Sequence, residues 1–167
     1  MSFPNYSSQR GEAKTSPESL FTGRGVGIAF LDTGISPVAD FITPKNRIVV
    51  FRDFVNGKRG PYDDNGHGTH VTGIACGNGA LSNGRYAGVA LDSYIISLKI
   101  LDYNGQGSSS HAVAALRWIL DNNAKYNIKV VNLSIGSNDK KINQPLKESV
   151  EALWRKGIVV VAAAGNP

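Results

Sequence analysis

Five short apolar runs with helical segments between the later ones predict an α/β fold with a mostly parallel sheet and helices on both faces. The runs are continuous and do not alternate with polar residues, which is typical of strands that are buried on both faces. Helices between such strands are the crossovers that a parallel sheet requires. With 167 residues, 41% of them hydrophobic, the chain is long enough to bury the core of one domain.

The expected strands cover residues 26–31, 47–51, 94–101, 130–135 and 158–164. Apolar residues at helical spacing predict a helix over residues 111–126, and Ser109 or Ser110 can cap it. Pro145 suits the first position of a helix over residues 145–156. These elements alternate along the chain, as the α/β prediction demands.

The chain before the first strand carries no apolar period. Residues 1–23 are rich in Ser, Pro, Gly and charge, so they are expected to form an arm or surface segment, with the domain in residues 24–167. The glycines of residues 23–27 precede a strand instead of following one, which argues against a dinucleotide loop. Cys76 lies in an apolar helical stretch and is expected to be a buried structural thiol.

The composition argues against two classes of partner, nucleic acids and membranes. The formal net charge is +5, but the basic residues are scattered, so we expect no nucleic-acid partner. No apolar run approaches the roughly 18 residues of a membrane span, and no membrane partner is expected. The first residues lack a charged segment followed by an apolar one, which predicts no signal peptide and a cytoplasmic location.

Ligands of parallel sheets bind beyond the carboxyl ends of the strands, which directs attention to the residues there. Asp32 follows a strand that should be dry, so its carboxylate needs partners. It could close a local turn on the amides of Thr33 and Gly34, or it could accept a hydrogen bond from an imidazole and fix its tautomer. Asn166 could be a turn residue before a proline, or its amide could donate to an oxyanion, a contact worth about 3–4 kcal/mol.

His67 stands between two glycines in a polar turn that leads into apolar residues 71–76. A helix that begins at Gly68 or Thr69 would leave His67 at its positively polarised end. An imidazole with an unperturbed pKa near 6.5 suits a general base at neutral pH, although a cap remains an alternative. His67 and His70 could also form a metal pair, but the spacing and the missing Glu disfavour it.

The other histidines and the acidic residues before His67 give weaker indications of a catalytic or metal-binding role. His70 and His111 are expected to be structural. Asp63, Asp64 and Asn65 resemble part of a calcium loop but lack its spacing and its closing Glu.

Three segments together resemble the subtilisin-like serine proteases (subtilases). They are residues 32–34 (DTG), 65–73 (NGHGTHVTG) and 162–166 (AAAGN), in the family's order along the chain. Leu133, Ser134, Ile135 and Gly136 look like the family's substrate-binding strand end. The resemblance covers residues 24–167, looks closest to the intracellular AprX-type branch, and implies the three-layer subtilisin-like fold.

The resemblance implies a role for each matching residue. Asp32 would be the triad aspartate, His67 the general base and Asn166 the oxyanion donor. The backbone of Gly105, Gln106 and Gly107 would pair with the substrate like an added strand. The primary specificity pocket would be lined by Ser134, Ile135 and Gly136 and by Ala163, Ala164 and Gly165. No cofactor is expected for the chemistry, but a structural calcium ion near Asp40 stays open.

The family's nucleophilic serine stands in a Gly-Thr-Ser-type segment that residues 1–167 do not contain. We therefore expect an N-terminal portion of a serine endopeptidase, truncated before its C-terminal part and inactive alone. Its partners would be a peptide or protein substrate and the remainder of its own domain. The alternatives are a non-catalytic subtilase-like domain that binds peptide or a protein partner, and a metal hydrolase that uses His67 and His70.

Overall fold

A single sheet of five parallel strands organises the chain in the computed structural model, which describes residues 21–135 and 144–163. The order across the sheet is β2-β3-β1-β4-β5. The strands are β1 (Gly27–Asp32), β2 (Ile48–Asp53), β3 (Tyr94–Lys99), β4 (Ile128–Leu133) and β5 (Val159–Ala162). The helices are α1 (Ala39–Ile42), α2 (His67–Cys76), α3 (Ser109–Tyr126) and α4 (Gln144–Arg155), with a short 3₁₀ turn at Ala80–Ser82.

Strand β1 lies at the centre of the sheet, and all six of its residues are buried. Ala29 and Leu31 face a core shared with α3 and α4. Ile28 and Phe30 point the other way, into a second core that includes Phe41 of α1. Two cores on opposite faces explain the unbroken apolar run and confirm the prediction of a mostly parallel sheet with helices on both sides.

Several predicted boundaries were displaced by a few residues. Strand β3 ends at Lys99 because the next two amides, Ile100 N–H and Leu101 N–H, both donate to the Asp32 carbonyl (2.9 and 3.2 Å). Strand β4 begins earlier than predicted, at Ile128, because its pairing with β1 extends back to that residue.

Three predicted helix starts were wrong by one or two residues, and one of them is α4, which begins at Gln144 instead of Pro145. Helix α3 is capped by Ser108 instead of Ser109 or Ser110, and the Ser108 hydroxyl accepts from His111 N–H at 3.2 Å. Helix α2 begins at His67 itself, because His70 N–H already donates to the Gly66 carbonyl at 3.0 Å.

The predicted N-terminal arm, residues 1–23, falls almost wholly outside the described residues, which start at Phe21. Within residues 21–135 and 144–163, every helix is too short or too polar to span a bilayer.

Candidate active site

A hydrogen bond joins Asp32 and His67 at the carboxyl edge of the sheet. Asp32 is the last residue of β1 and His67 the first of α2, and Asp32 Oδ1 lies 2.8 Å from His67 Nδ1. The Asp32 side chain is 1% exposed, whereas the imidazole side chain is 51% exposed. Because an ionised carboxylate only accepts, Nδ1 carries the shared proton. A neutral ring held in this way has its other nitrogen, Nε2, free to accept a proton.

Asp32 makes the imidazole contact and part of the local turn that its sequence context suggested. Its Oδ1 also accepts from Thr33 N–H at 2.7 Å, but the second predicted bond, from Gly34 N–H, is absent among the described residues. Its Oδ2 is buried and has no partner among the described residues. A buried carboxylate with one oxygen unpaired is unfavourable, and a turn alone gives no reason for it. Of the two contacts, the one to the imidazole can take part in catalysis, because it orients a proton-accepting ring.

Asp63 anchors the histidine turn (residues 63–66) to both neighbouring elements. Its carboxylate accepts from the Thr33 hydroxyl (2.8 Å), Gly66 N–H (2.9 Å), and both the N–H and the hydroxyl of Thr69 (2.9 and 2.6 Å). Burial raises the Asp63 pKa, but the bonds from Thr69, Gly66 and Thr33 outweigh it and lower the pKa to about 2. Sequence reasoning compared Asp63 only with a calcium loop, and its structural role was not foreseen.

Gly68 allows α2 to approach the end of β1 at very short range. Its N–H donates to the Thr33 hydroxyl at 2.9 Å. A Cβ atom at this position would lie 2.3 Å from the Gly34 carbonyl oxygen and 3.2 Å from Asp32 Cβ. Only glycine therefore lets the helix start close enough for His67 to meet the buried Asp32.

The candidate substrate segment Gly105, Gln106 and Gly107 lies in an exposed turn after β3. Asp102 folds this turn, since its N–H donates to the Gln106 carbonyl (2.7 Å) and its Oδ1 accepts from Gln106 N–H (2.9 Å). Asn65 of the histidine turn reaches across and donates to the Tyr103 carbonyl at 2.9 Å. The structure thus places this segment beside the histidine turn.

The other candidate substrate residues lie at the same edge of the sheet where they are described. Leu133 ends β4, and its carbonyl accepts from Ala163 N–H at 3.3 Å. The Ser134 hydroxyl accepts from Asn132 Nδ2 at 2.6 Å, and Ile135 is partly buried against the core. Gly136, Ala164, Gly165 and the proposed oxyanion donor Asn166 lie outside the described residues.

The remaining candidates lie outside the contact between Asp32 and His67. His70 is exposed on α2, and His111 is partly buried on α3 with its Nδ1 lacking a partner among the described residues. Cys76 is fully buried, and burial raises the pKa of its thiol. Asp40 Oδ1 accepts from Leu81 N–H at 2.7 Å. Across residues 21–135 and 144–163, no three His, Cys, Asp or Glu side chains are grouped as a metal site would require.

Lys99 is a buried residue that sequence reasoning missed. It was included in an apolar strand, yet its side chain is fully buried and its ammonium is 2.7 Å from Asp64 Oδ1. A single lysine inside an apolar run was the available signal, because a buried charge must have partners.

Known proteins were compared with the chain at the level of family, sequence and structure. The family model described as "Subtilase family" (Peptidase_S8) matches residues 23–167. The serine protease AprX of Bacillus subtilis is 40% identical over 152 residues, which are 87% of this chain and 34% of that protein. Thermitase of Thermoactinomyces vulgaris is 37% identical over 144 residues, covering 86% of this chain and 48% of the relative.

The structure of the CspB protease of Clostridium perfringens matches with a TM-score of 0.76 and 29% identity, over 90% of this chain and 37% of that chain. The chain thus spans only about a third of the curated relatives that it matches first. The match nevertheless includes both Asp32 and His67, and it confirms the resemblance drawn from the three sequence segments. By family, the chain is a subtilase.

Proposed function

We propose that this chain supplies the triad aspartate, the general base and the oxyanion donor of a subtilisin-type serine endopeptidase. In the proposed mechanism, a serine outside residues 1–167 attacks a peptide carbonyl and His67 Nε2 takes the serine proton. Asp32 holds the ring in the required tautomer and stabilises the imidazolium, and Asn166 donates to the oxyanion. His67 then gives the proton to the leaving amine as the C–N bond breaks, which leaves the acyl group on the serine. A water molecule, deprotonated by His67, hydrolyses this ester and restores the serine, so side chains and water suffice and the chemistry requires no cofactor.

The 2.8 Å contact between Asp32 and His67 is the observation that carries the proposal. A buried carboxylate behind a half-exposed imidazole is the arrangement that a general base needs, because one ring nitrogen is fixed and the other remains accessible. A peptide-binding domain would have no use for this pair, so its presence favours the enzyme over the non-catalytic alternative.

The substrate would be a peptide or protein that lies along the carboxyl edge of the sheet. Its backbone would pair with the segment Gly105, Gln106 and Gly107, chiefly through the two glycines, because the N–H and carbonyl of Gln106 are already bonded to Asp102. A side chain of the substrate would enter a pocket lined by Ser134 and Ala163 together with Ile135, Gly136, Ala164 and Gly165. The bond from Asn65 Nδ2 to the Tyr103 carbonyl supports this placement, since it holds the segment beside the turn that leads to His67. Neither nucleic acid nor membrane is a proposed partner, and the proposed location is the cytoplasm.

Kinetics on the full-length protein test the proposal. The protein should hydrolyse a peptide ester and be labelled by a serine-directed phosphonate. His67→Ala should lower kcat by about 10²- to 10⁴-fold, the usual contribution of a general base. Asp32→Asn should lower kcat by about 10⁴-fold, because an amide can hold the ring in the wrong tautomer.

The 167-residue chain alone, which lacks the serine segment, should show no turnover. Peptide binding without hydrolysis by the full-length protein would instead support the non-catalytic alternative. Hydrolysis that survives the phosphonate but is lost on removal of stoichiometric zinc would support the metal hydrolase.

A further inference from the structure

Lys99 occupies an unusual position for a lysine, at the end of a buried strand beside the candidate active site. In the sheet it is the register partner of Asp32 on one side and of Asp53 on the other. Its side chain is 0% exposed. Lysine is almost never fully buried unless its charge is paired, so the protein maintains this cation at a cost in desolvation.

The Lys99 ammonium has three N–H groups, and each has an acceptor at short range. They donate to the Thr33 carbonyl (2.6 Å), Asp64 Oδ1 (2.7 Å) and the Leu101 carbonyl (2.8 Å). The Tyr62 ring also lies beside the ammonium, with its centroid 5.1 Å away. The donor capacity of the group is therefore fully used.

The three acceptors belong to three different parts of the site. Thr33 follows Asp32 in the chain and donates its N–H to the Asp32 carboxylate at 2.7 Å. Asp64 lies within the histidine turn, three residues before His67. Leu101 begins the segment that leads to the candidate substrate residues Gly105–Gly107. One buried cation thus contacts the end of the strand that carries Asp32, the turn that leads to His67, and the start of the candidate substrate-binding segment.

We propose that Lys99 is a positioning residue that holds the end of β1, the histidine turn and the start of the 101–107 segment in one fixed arrangement. The inference rests on the proposed peptidase function. Lys99 acts through Thr33, Asp64 and Leu101 and does not itself touch the substrate. Loss of Lys99 leaves two backbone carbonyls without their donor and releases the histidine turn, which leads directly into His67. A displacement of about 1 Å at a reacting group costs about 100-fold in rate.

The test must separate positioning from the general cost of an unpaired buried charge. Lys99→Met keeps the length of the side chain but removes the charge and all three hydrogen bonds, and it leaves Asp64 without its cation. The double variant Asp64→Asn with Lys99→Met leaves no unpaired charge, so it should unfold at a higher temperature than Lys99→Met, although the Thr33 and Leu101 carbonyls lose their donor in both variants. Leu153→Ala, a fully buried site in α4, is a control that destabilises the core elsewhere.

Three quantities are measured on the full-length protein: the unfolding temperature, kcat and KM, and the NMR signal of the proton between His67 Nδ1 and Asp32. We expect Lys99→Met and the double variant to lose about 100-fold in kcat with little change in KM, and to shift or broaden the imidazole proton signal. Leu153→Ala should lower the unfolding temperature but keep both the signal and kcat.

Wild-type kcat and an unchanged imidazole signal in the folded double variant would overturn the proposal. If Lys99→Met does not fold, the kcat and the imidazole signal of the double variant alone test the positioning role. The NMR signal requires no turnover, so an inactive wild type would refute the peptidase function while a shifted signal in the double variant still supported positioning. An active wild type with an unperturbed double variant would refute positioning alone.

Discussion

Gly68→Ala is the substitution that most directly tests how the site is assembled. The new Cβ atom would lie 2.3 Å from the Gly34 carbonyl oxygen, where ordinary contact begins at about 3.4 Å. Both groups belong to backbone, so α2 or the end of β1 must move by roughly 1 Å. Overpacking of this kind costs about 1–3 kcal/mol of unfolding free energy. It should also stretch the 2.8 Å bond between Asp32 and His67.

Gly73→Ala provides the matched control on the same helix. A Cβ atom at Gly73 meets no described atom within 4 Å outside the backbone of α2 itself. Since glycine is unfavourable inside a helix, this substitution should stabilise the chain by about 0.5–1 kcal/mol. The two variants therefore differ in the sign of their effect although the chemical change is identical.

Urea unfolding of the 167-residue chain measures the first effect, and the NMR signal of the His67 Nδ1 proton measures the second. We expect Gly68→Ala to lower the unfolding free energy and displace the signal, and Gly73→Ala to do neither. In the full-length protein, Gly68→Ala should also reduce kcat by about 100-fold. Equal stabilisation by both substitutions, with an unmoved imidazole signal, would refute the close-approach argument.

Three further predictions concern the surroundings of the site. The Asp63 pKa is lowered to about 2, so this carboxylate stabilises the fold fully above its unfolded pKa near 4, and the stabilisation is lost as the pH falls through 2. After a discount for partial exposure, urea unfolding should show a loss of about 1–2 kcal/mol in unfolding free energy between pH 5 and pH 2. Asp63→Asn should abolish this pH-dependent loss. Ser108→Ala should cost about 1 kcal/mol because it removes the cap of α3, whereas Ser109→Ala should change the unfolding free energy little. Burial and the hydrogen bond to Asp53 raise the pKa of Tyr62 to about 12, so absorbance titration should show a late-ionising phenol that Tyr62→Phe removes.

The strands could be predicted from the sequence because a strand that is buried on both faces is an unbroken run of apolar residues. The run that became β1 is apolar at nearly every position, and both cores use it. Strand ends were less predictable, since pairing decides them. The four-residue helix α1 and the 3₁₀ turn at Ala80–Ser82 are too short to show any period, so they were not foreseen.

Some residues of the candidate site could likewise be predicted from the sequence, and others could not. Asp32 could be selected because it ends an apolar run, and His67 because it stands between two glycines just before one; both lie in segments that resemble the family. Lys99 could not be assigned a role, since nothing in a linear pattern shows that the carbonyls of Thr33 and Leu101 converge on one point. Asp63 was missed for the same reason, because its donors come from two elements that are distant in sequence.

The central location of β1 also has a consequence for the order of folding. This strand is made first, yet its register partners are Tyr94 on one side and Ile128 on the other. During synthesis, Asp32 must therefore wait for residues near the middle and the end of the chain before its strand is paired. Such distant pairings slow folding and leave apolar edges open to aggregation in the meantime. A nascent chain that has been synthesised as far as residue 100 would already carry Asp32 and His67, but it would lack β4, one of the two strands that fix Asp32 in place.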